Sequence, residues 1–257
     1  MILKPHLWSS LSLVLLLSIQ GAGASEDLPA PLQNITSQGV NIIGSFAAPG
    51  SLTGYVGEYQ GQGLTLYTTA DGQYAIIGNM IDSNGNNIGA SHMRRLIDEP
   101  RYSDAWETLQ ADTHWIVDGD EDAPNVVYTF TDPFCPFCKR MHDSMRPYVE
   151  SGQVQVRHIM VGIIRENSPA VAATILGSDD PTALLIKQMD TLNAGGVSIQ
   201  QAAMSFGESA IDDNYAVMTK LNLRATPATF YRDQEGTVRL IQGAPREGQI
   251  REMIISD

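Results

Sequence analysis

Apolar and polar positions follow a strand-like pattern early in the chain and change period near residue 90. Between residues 39 and 81 four short runs, "VNIIGSF", "GYVGEY", "LTLYTT" and "YAIIGNM", carry β-branched and aromatic residues between glycines, the signature of strands. Asp71-Gly72 separates the last two runs and makes a good hairpin turn, because Gly accepts positive φ. One or two helical turns over residues 32–38 precede them. From Ser91 to about Ala111 the pattern turns helical, with Pro100 as a break or a start and Ser103 or Asp104 as a cap. Trp106 and Leu109 form an i, i+3 apolar pair there, and the stretch reads as a linker helix.

The rest alternates β and α. "NVVYTFT" (Asn125–Thr131) is a nearly continuous apolar run suited to the middle of a sheet. A helix is expected over residues 136–148 and a second strand over 153–164. Residues 169–221 read as four helices: the second is capped by Asp180 with Pro181 at its first position, and the last two divide at Gly207. Two closing strands, "ATFYRD" and "TVRLIQG", are joined by residues 234–236, and a final helix spans 246–254.

The beginning of the chain bears on compartment. Lys4, the apolar run at 11–19 and Ala22-Gly23-Ala24 fit an export signal over residues 1–24, with Ser25 as the new terminus. The apolar run is too short to span a bilayer. Loss of Lys4 takes the net charge from −13 to −14, which argues against nucleic acid or anionic membrane as a partner. Residues 25–93 hold five acids and no Lys or Arg, a composition shift that marks a domain boundary near residue 90. The β-rich part before it is small, has no cysteine to staple it, and would gain stability from a second copy of itself.

The chemistry lies in "TFTDPFCPFCKR", which contains the only two cysteines, Cys135 and Cys138. A bridge between them closes so short a loop that it stabilises the fold little. Zinc would need about four ligands; only His92, His114, His142 and His158 remain after the leader, with no paired motif, and His142 reads as an ordinary helix residue. Haem attachment would need His directly after Cys138, where Lys139 stands. Strand, Cys-x-x-Cys, helix is instead the arrangement that activates a thiol. Cys135 would sit at a helix N-terminus, where unpaired N–H groups and the dipole favour the thiolate. Pro136 fits the first helical position. Cys138, one turn inside, should be more buried and keep a higher pKa. Cys135 then attacks a substrate disulfide and Cys138 resolves the mixed disulfide. Lys139 and Arg140 read as solvated helix residues. Thr226-Pro227 precedes a strand; the proline is either trans at a strand start or cis, and a cis form facing Cys135 would turn the Thr226 backbone outward, free to pair with an extended substrate.

Together these residues resemble the thioredoxin superfamily, and within it the DsbC/DsbG family of periplasmic thiol:disulfide interchange proteins, nearer its DsbG branch. "DPFCPFCKR", "RPYVESGQVQVRHIMVGII" and "SPAVAATIL" are similar to that family's catalytic domain, "HWIVDG" to the segment before it, and "APGSLTGYVGEYQGQGLTLYTTADGQYAIIGNM" to its dimerisation domain. The resemblance implies a mixed α+β and α/β architecture. A cystatin-like, β-rich dimerisation domain would cover residues 25–90, a linker helix 91–114, and a thioredoxin-like domain with a helical insertion 115–257. It implies a V-shaped homodimer in the periplasm of a Gram-negative bacterium, exported proteins as substrates, a membrane reductase of the DsbD type, and no cofactor or metal. Carried over by position, Cys135 matches the nucleophile and Cys138 the resolving cysteine of a redox-active Cys135–Cys138 disulfide. Pro136 and Phe137 match the redox-tuning pair, and Thr226-Pro227 the cis-proline loop. Phe137 departs from the Tyr expected there, which bears on the direction of electron flow. The expected activity is reduction or rearrangement of disulfides, with reduction of cysteine sulfenic acids by the same thiolate. A net oxidase and a non-enzymatic holdase are the alternatives.

Overall fold

The computed structural model describes residues 28–254; the expected export signal and its cleavage point lie outside them. Helix α1 (Ala30–Ser37) leads into strands β1 (Asn41–Ala48), β2 (Leu52–Tyr59), β3 (Gln62–Thr68) and β4 (Ala75–Ile77). These form an antiparallel sheet in sequence order. The Asp71-Gly72 turn closes β3 to β4, with Gly72 at φ +67° and its N–H on the Thr69 carbonyl at 2.8 Å. Alternation decides what each face buries: Phe46, Val56 and Tyr67 pack with Ile97, whereas Tyr55 and Leu66 pack with Leu32 of α1.

Pro100 stands at the start of the next helix, in its first turn, as one of the two expected readings has it. α2 (Ala90–Met93) runs through a π turn (Arg94–Asp98) into α3 (Glu99–Asp112). The Glu99 N–H reaches back five residues to the Arg94 carbonyl, and this wide turn accommodates the proline ring that follows. Ser103 and Asp104 therefore lie inside α3 and cap nothing. Trp106 and Leu109 are buried as their spacing predicts. They pack with Tyr128 and Phe130 of the second sheet, Trp106 meeting Tyr128 edge-on at 5.0 Å.

That sheet has five strands in the order β5-β7-β6-β8-β9: β5 (Trp115–Asp118), β6 (Asn125–Thr131), β7 (Val154–Met160), β8 (Ala228–Arg232) and β9 (Val238–Gln242). Only the β6/β7 pair is parallel. β6 lies in the middle, as its apolar run predicts. Its Tyr128 and Phe130 face α3 and α7 (Gln201–Lys220). Val127, on the opposite face, packs with Met141, Met145 and Val149 of α4 (Pro136–Glu150) and with Ile250 and Met253 of α8 (Glu247–Met253). The edge strand β5 falls where the sequence indicates only a connecting segment.

α5 (Ser168–Leu176), α6 (Pro181–Thr191) and α7 form the insertion between β7 and β8. Asp180 caps α6, accepting from the Ala183 N–H at 2.9 Å. α7 is one helix, not two divided at Gly207. Gly207 marks a close crossing instead: a Cβ there would lie 2.1 Å from the Ala173 carbonyl oxygen of α5. Among the described residues no helix is long and apolar enough to cross a membrane.

Candidate active site

β6 ends at Thr131 and α4 begins at Pro136, so four residues turn the chain from sheet to helix. Asp132 makes the turn. Its carboxylate accepts the Phe134 N–H at 2.8 Å, and its carbonyl accepts the Cys135 N–H at 3.1 Å. Cys135 becomes the N-cap residue of α4, with extended φ/ψ, and its sulfur accepts from the Cys138 N–H at 3.4 Å. Pro136, at the first helical position, lacks an N–H that would have had no partner there.

The environments of the two sulfurs push them in opposite directions. The Cys135 thiol is pulled down from the ordinary 9.0 to about 6. The largest cause is the Cys138 thiol donating to its thiolate; burial opposes this, and Thr226 and the N–H groups of Cys138 and Phe137 add to it. Burial pushes the Cys138 thiol well above the ordinary range, and the Cys135 charge raises it further. Accessible surface hardly separates them, Cys135 being 2% and Cys138 3% exposed, but Cys138 lies deeper among protein atoms, as expected. Access separates them as well, because Cys135 lines an open cavity of about 640 Å³. The structure holds both as free thiols.

The chain brings Thr226-Pro227 to Cys135 across 91 residues, and the peptide bond between them is cis. The Thr226 carbonyl turns inward to the sulfur, not outward. The residue is 6% exposed, and its carbonyl accepts from Cys135 Sγ at 3.2 Å. Its hydroxyl is buried without another partner, which leaves it available to donate once the thiol ionises. Thr226 thus offers an acceptor to the thiol and a donor to the thiolate.

The cavity beside Cys135 is walled by Phe137, Ile163, Ile164, Tyr215, Met218 and Leu223, with Asn222 and Arg224 as its polar members alongside Thr226 and Thr219. Phe137 is 49% exposed, with the Arg140 guanidinium 5.2 Å from its ring centre. Lys139 pairs with Asp143 at 2.9 Å, so its charge is matched locally. Both basic residues belong to the outer surface of α4, as the sequence indicates.

One cluster escapes sequence reasoning. His142 is not an ordinary helix residue: it is buried, 3.3 Å from Arg146 Nη1. Arg146 forks onto Asp118 of β5 at 3.0 and 2.9 Å. His158 Nε2 stands 3.7 Å from the same carboxylate, and its Nδ1 meets the Thr131 hydroxyl at 3.0 Å. Burial works to raise the Asp118 carboxyl, but His158 and Arg146 outweigh it and hold it well below the usual carboxylate range. Burial first, then the neighbouring His158, lowers His142. The cluster fastens α4 to β5, β6 and β7, one turn and more behind the cysteines. The signal in sequence is faint, an Arg and a His four apart on the apolar side of an expected helix.

A family model described as a thioredoxin-like domain matches residues 117–255. A second, the disulfide bond isomerase protein N-terminal domain, matches residues 22–90. The chain is 39% identical over 233 residues to the thiol:disulfide interchange protein DsbG of Pseudomonas aeruginosa, covering 91% of each chain. It is 40% identical over 235 residues to the protein of the same name from Escherichia coli K12, covering 90% of this chain and 94% of that one. Among solved structures, Helicobacter pylori DsbG is similar at 19% identity with a TM-score of 0.38, over 78% of this chain and 98% of that one.

Proposed function

We propose, on the premise that the chain belongs to the DsbG family of thiol:disulfide interchange proteins, that Cys135 is its nucleophile and Cys138 its resolving thiol. The observation that carries this reading is the opposed ionisation of the two sulfurs at a helix start. At neutral pH Cys135 is a thiolate beside an open cavity, while Cys138 keeps its proton. The Cys135 thiolate attacks one sulfur of a substrate disulfide, and the other substrate sulfur leaves as a thiolate. Cys138 then loses its proton and attacks Cys135 Sγ. This releases the substrate reduced and leaves a Cys135–Cys138 disulfide. If the freed thiolate instead attacks a second disulfide of the substrate, and the thiolate this liberates attacks the substrate sulfur bound to Cys135, the substrate leaves with its disulfides rearranged and Cys135 leaves as the thiolate, so the dithiol is regenerated unchanged. With a sulfenic acid as substrate, the thiolate attacks its sulfur, the hydroxyl leaves as water with a proton, and Cys138 resolves the same kind of adduct.

The largely apolar cavity lets an extended substrate chain lay side chains beside the reacting sulfur, consistent with exported proteins as substrates in the periplasm. A membrane thiol reductase of the DsbD type would return the disulfide to dithiol. In this reading residues 25–90 dimerise, 91–114 form the arm, and 115–257 carry out exchange. The exposed Tyr74, Ile76 and Ile77 at the β4 edge of the first sheet support pairing of two copies there. The lowered Cys135 pKa also favours a second direction, because a stabilised thiolate makes the dithiol form more stable and the pair more oxidising. Equilibration with glutathione separates net oxidase from reductase by the potential. The test of the main reading is the Cys138→Ala protein, expected to accumulate mixed disulfides with exported proteins, with Cys135→Ala accumulating none. A Cys138→Ala protein free of covalent adducts would overturn the assigned roles.

A further inference from the structure

Asp132 is fully buried, three residues before Cys135, and its carboxylate does more than make the turn. Oδ1 accepts from the Phe134 N–H at 2.8 Å and from the Ser168 hydroxyl at 3.2 Å. Oδ2 accepts from the N–H groups of Ile163 and Ile164 at 2.7 and 2.9 Å. One side therefore holds the loop that delivers Cys135. The other holds the segment after β7, whose two isoleucines wall the cavity that Cys135 lines. Ser168 begins α5 and donates from its hydroxyl while accepting the Arg165 N–H at 2.9 Å, so the same carboxylate also anchors the far end of the 163–168 loop. A buried carboxylate is costly unless its lone pairs are filled; here four donors fill them, drawn from two segments that also meet where the Arg165 guanidinium lies 4.4 Å from the Phe134 ring centre and where the Val161 N–H bonds the Thr131 carbonyl at 2.9 Å.

We propose that Asp132 is a positioning residue for this exchange reaction, setting the distance between the reacting sulfur and the apolar wall against which a protein substrate rests. The inference rests on the function proposed above. It predicts a selective defect. A small disulfide needs only the sulfur, whereas a polypeptide disulfide needs sulfur and wall in register, and a displacement of about 1 Å in a reacting geometry can cost on the order of a hundredfold in rate.

Asp132→Asn tests this at constant volume. An amide has one accepting oxygen, and its NH₂ group cannot accept. One pair of donors, either Phe134 with Ser168 or Ile163 with Ile164, then faces a donor and is expelled. The rate of reduction of insulin disulfides by the reduced protein should fall about tenfold more than the rate with glutathione disulfide. Amide hydrogen exchange at Ile163, Ile164 or Phe134 should accelerate by about tenfold or more. A general loss of folded protein would lower both rates together, and that equal fall would overturn the proposal, as would an unchanged ratio. Should Asp132→Asn fail to fold, Ser168→Ala removes a single donor and keeps the three N–H bonds; it should shift the ratio in the same direction by a smaller factor, and an unchanged ratio there refutes the positioning role. Wild-type protein that exchanges with neither disulfide would sink the functional reading instead, while amide exchange would still report whether the clamp holds the two loops.

Discussion

Replacing Cys138 by Ala should change the ionisation of Cys135 by a calculable amount. The wild-type thiol stands at about 6 against an ordinary 9.0, and the largest cause is the thiol of Cys138. A hydrogen bond to a charged group contributes about 1.5–3 kcal/mol, which at 1.36 kcal/mol per pH unit is roughly 1–2 units. Cys135 in the variant should therefore titrate at roughly 7–8, still lowered by the Cys138-position and Phe137 N–H groups and by Thr226. The assay is the rate of alkylation by iodoacetamide against pH, with thiolate absorbance near the far ultraviolet as a check. A wild-type midpoint in the ordinary thiol range would mean that the helix start does nothing for the sulfur. A midpoint shared by variant and wild type would mean that the backbone donors act alone. The same shift links to stability. The folded-state pKa is depressed, so the stabilisation is fully present above the unfolded value and is lost as pH falls through about 6. The reduced protein should become more stable from pH 6 to 8, and Cys135→Ser should flatten that slope.

Two further perturbations test the frame around the site. Asp118→Ala takes from the Arg146 guanidinium the buried carboxylate it forks onto, and from buried His158 its acidic neighbour, and should cost about 3–5 kcal/mol in urea unfolding. Because the folded-state carboxyl is depressed, its contribution is present above the unfolded value of about 3.9 and is lost as pH falls through the lower folded value; Asp118→Asn should remove that acid-side loss, and an unchanged acid profile would refute the assignment. Gly207→Ala would drive a methyl to 2.1 Å from the Ala173 carbonyl, forcing α5 and α7 apart at a cost of about 3 kcal/mol or more. An unchanged urea midpoint would show that the crossing yields freely.

The parts of this architecture that depend on local chemistry were legible. Strand, proline and helix around Cys135 follow from short-range rules, because an N-cap is made by the residues next to it. The central place of β6 follows from its apolar run, and the Asp180 cap from its neighbours. What escaped depends on distant partners. Asp132 carries no signal of its role until the segment at 163–168 arrives beside it. Asp118, His142, Arg146 and His158 come from three elements and show no common spacing. β5 is four residues long, too short for alternation to register, and is a strand because β7 offers it an edge. Gly207 looks like a helix stop by propensity, and only the proximity of α5 makes it a helix interior. Thr226 was legible as a neighbour of the sulfur, but the direction of its carbonyl was not.

The position of α3 sets how this molecule can be taken apart. The stretch between the two family matches, residues 91–116, invites a cut, yet Trp106 and Leu109 are built into the interior around Tyr128 and Phe130. Arg239 of β9 also reaches Glu99 at 2.8 Å. A recombinant catalytic fragment beginning at residue 115 would bare an aromatic slot on its surface and invite aggregation, whereas one beginning ahead of Glu99 would keep its own lid.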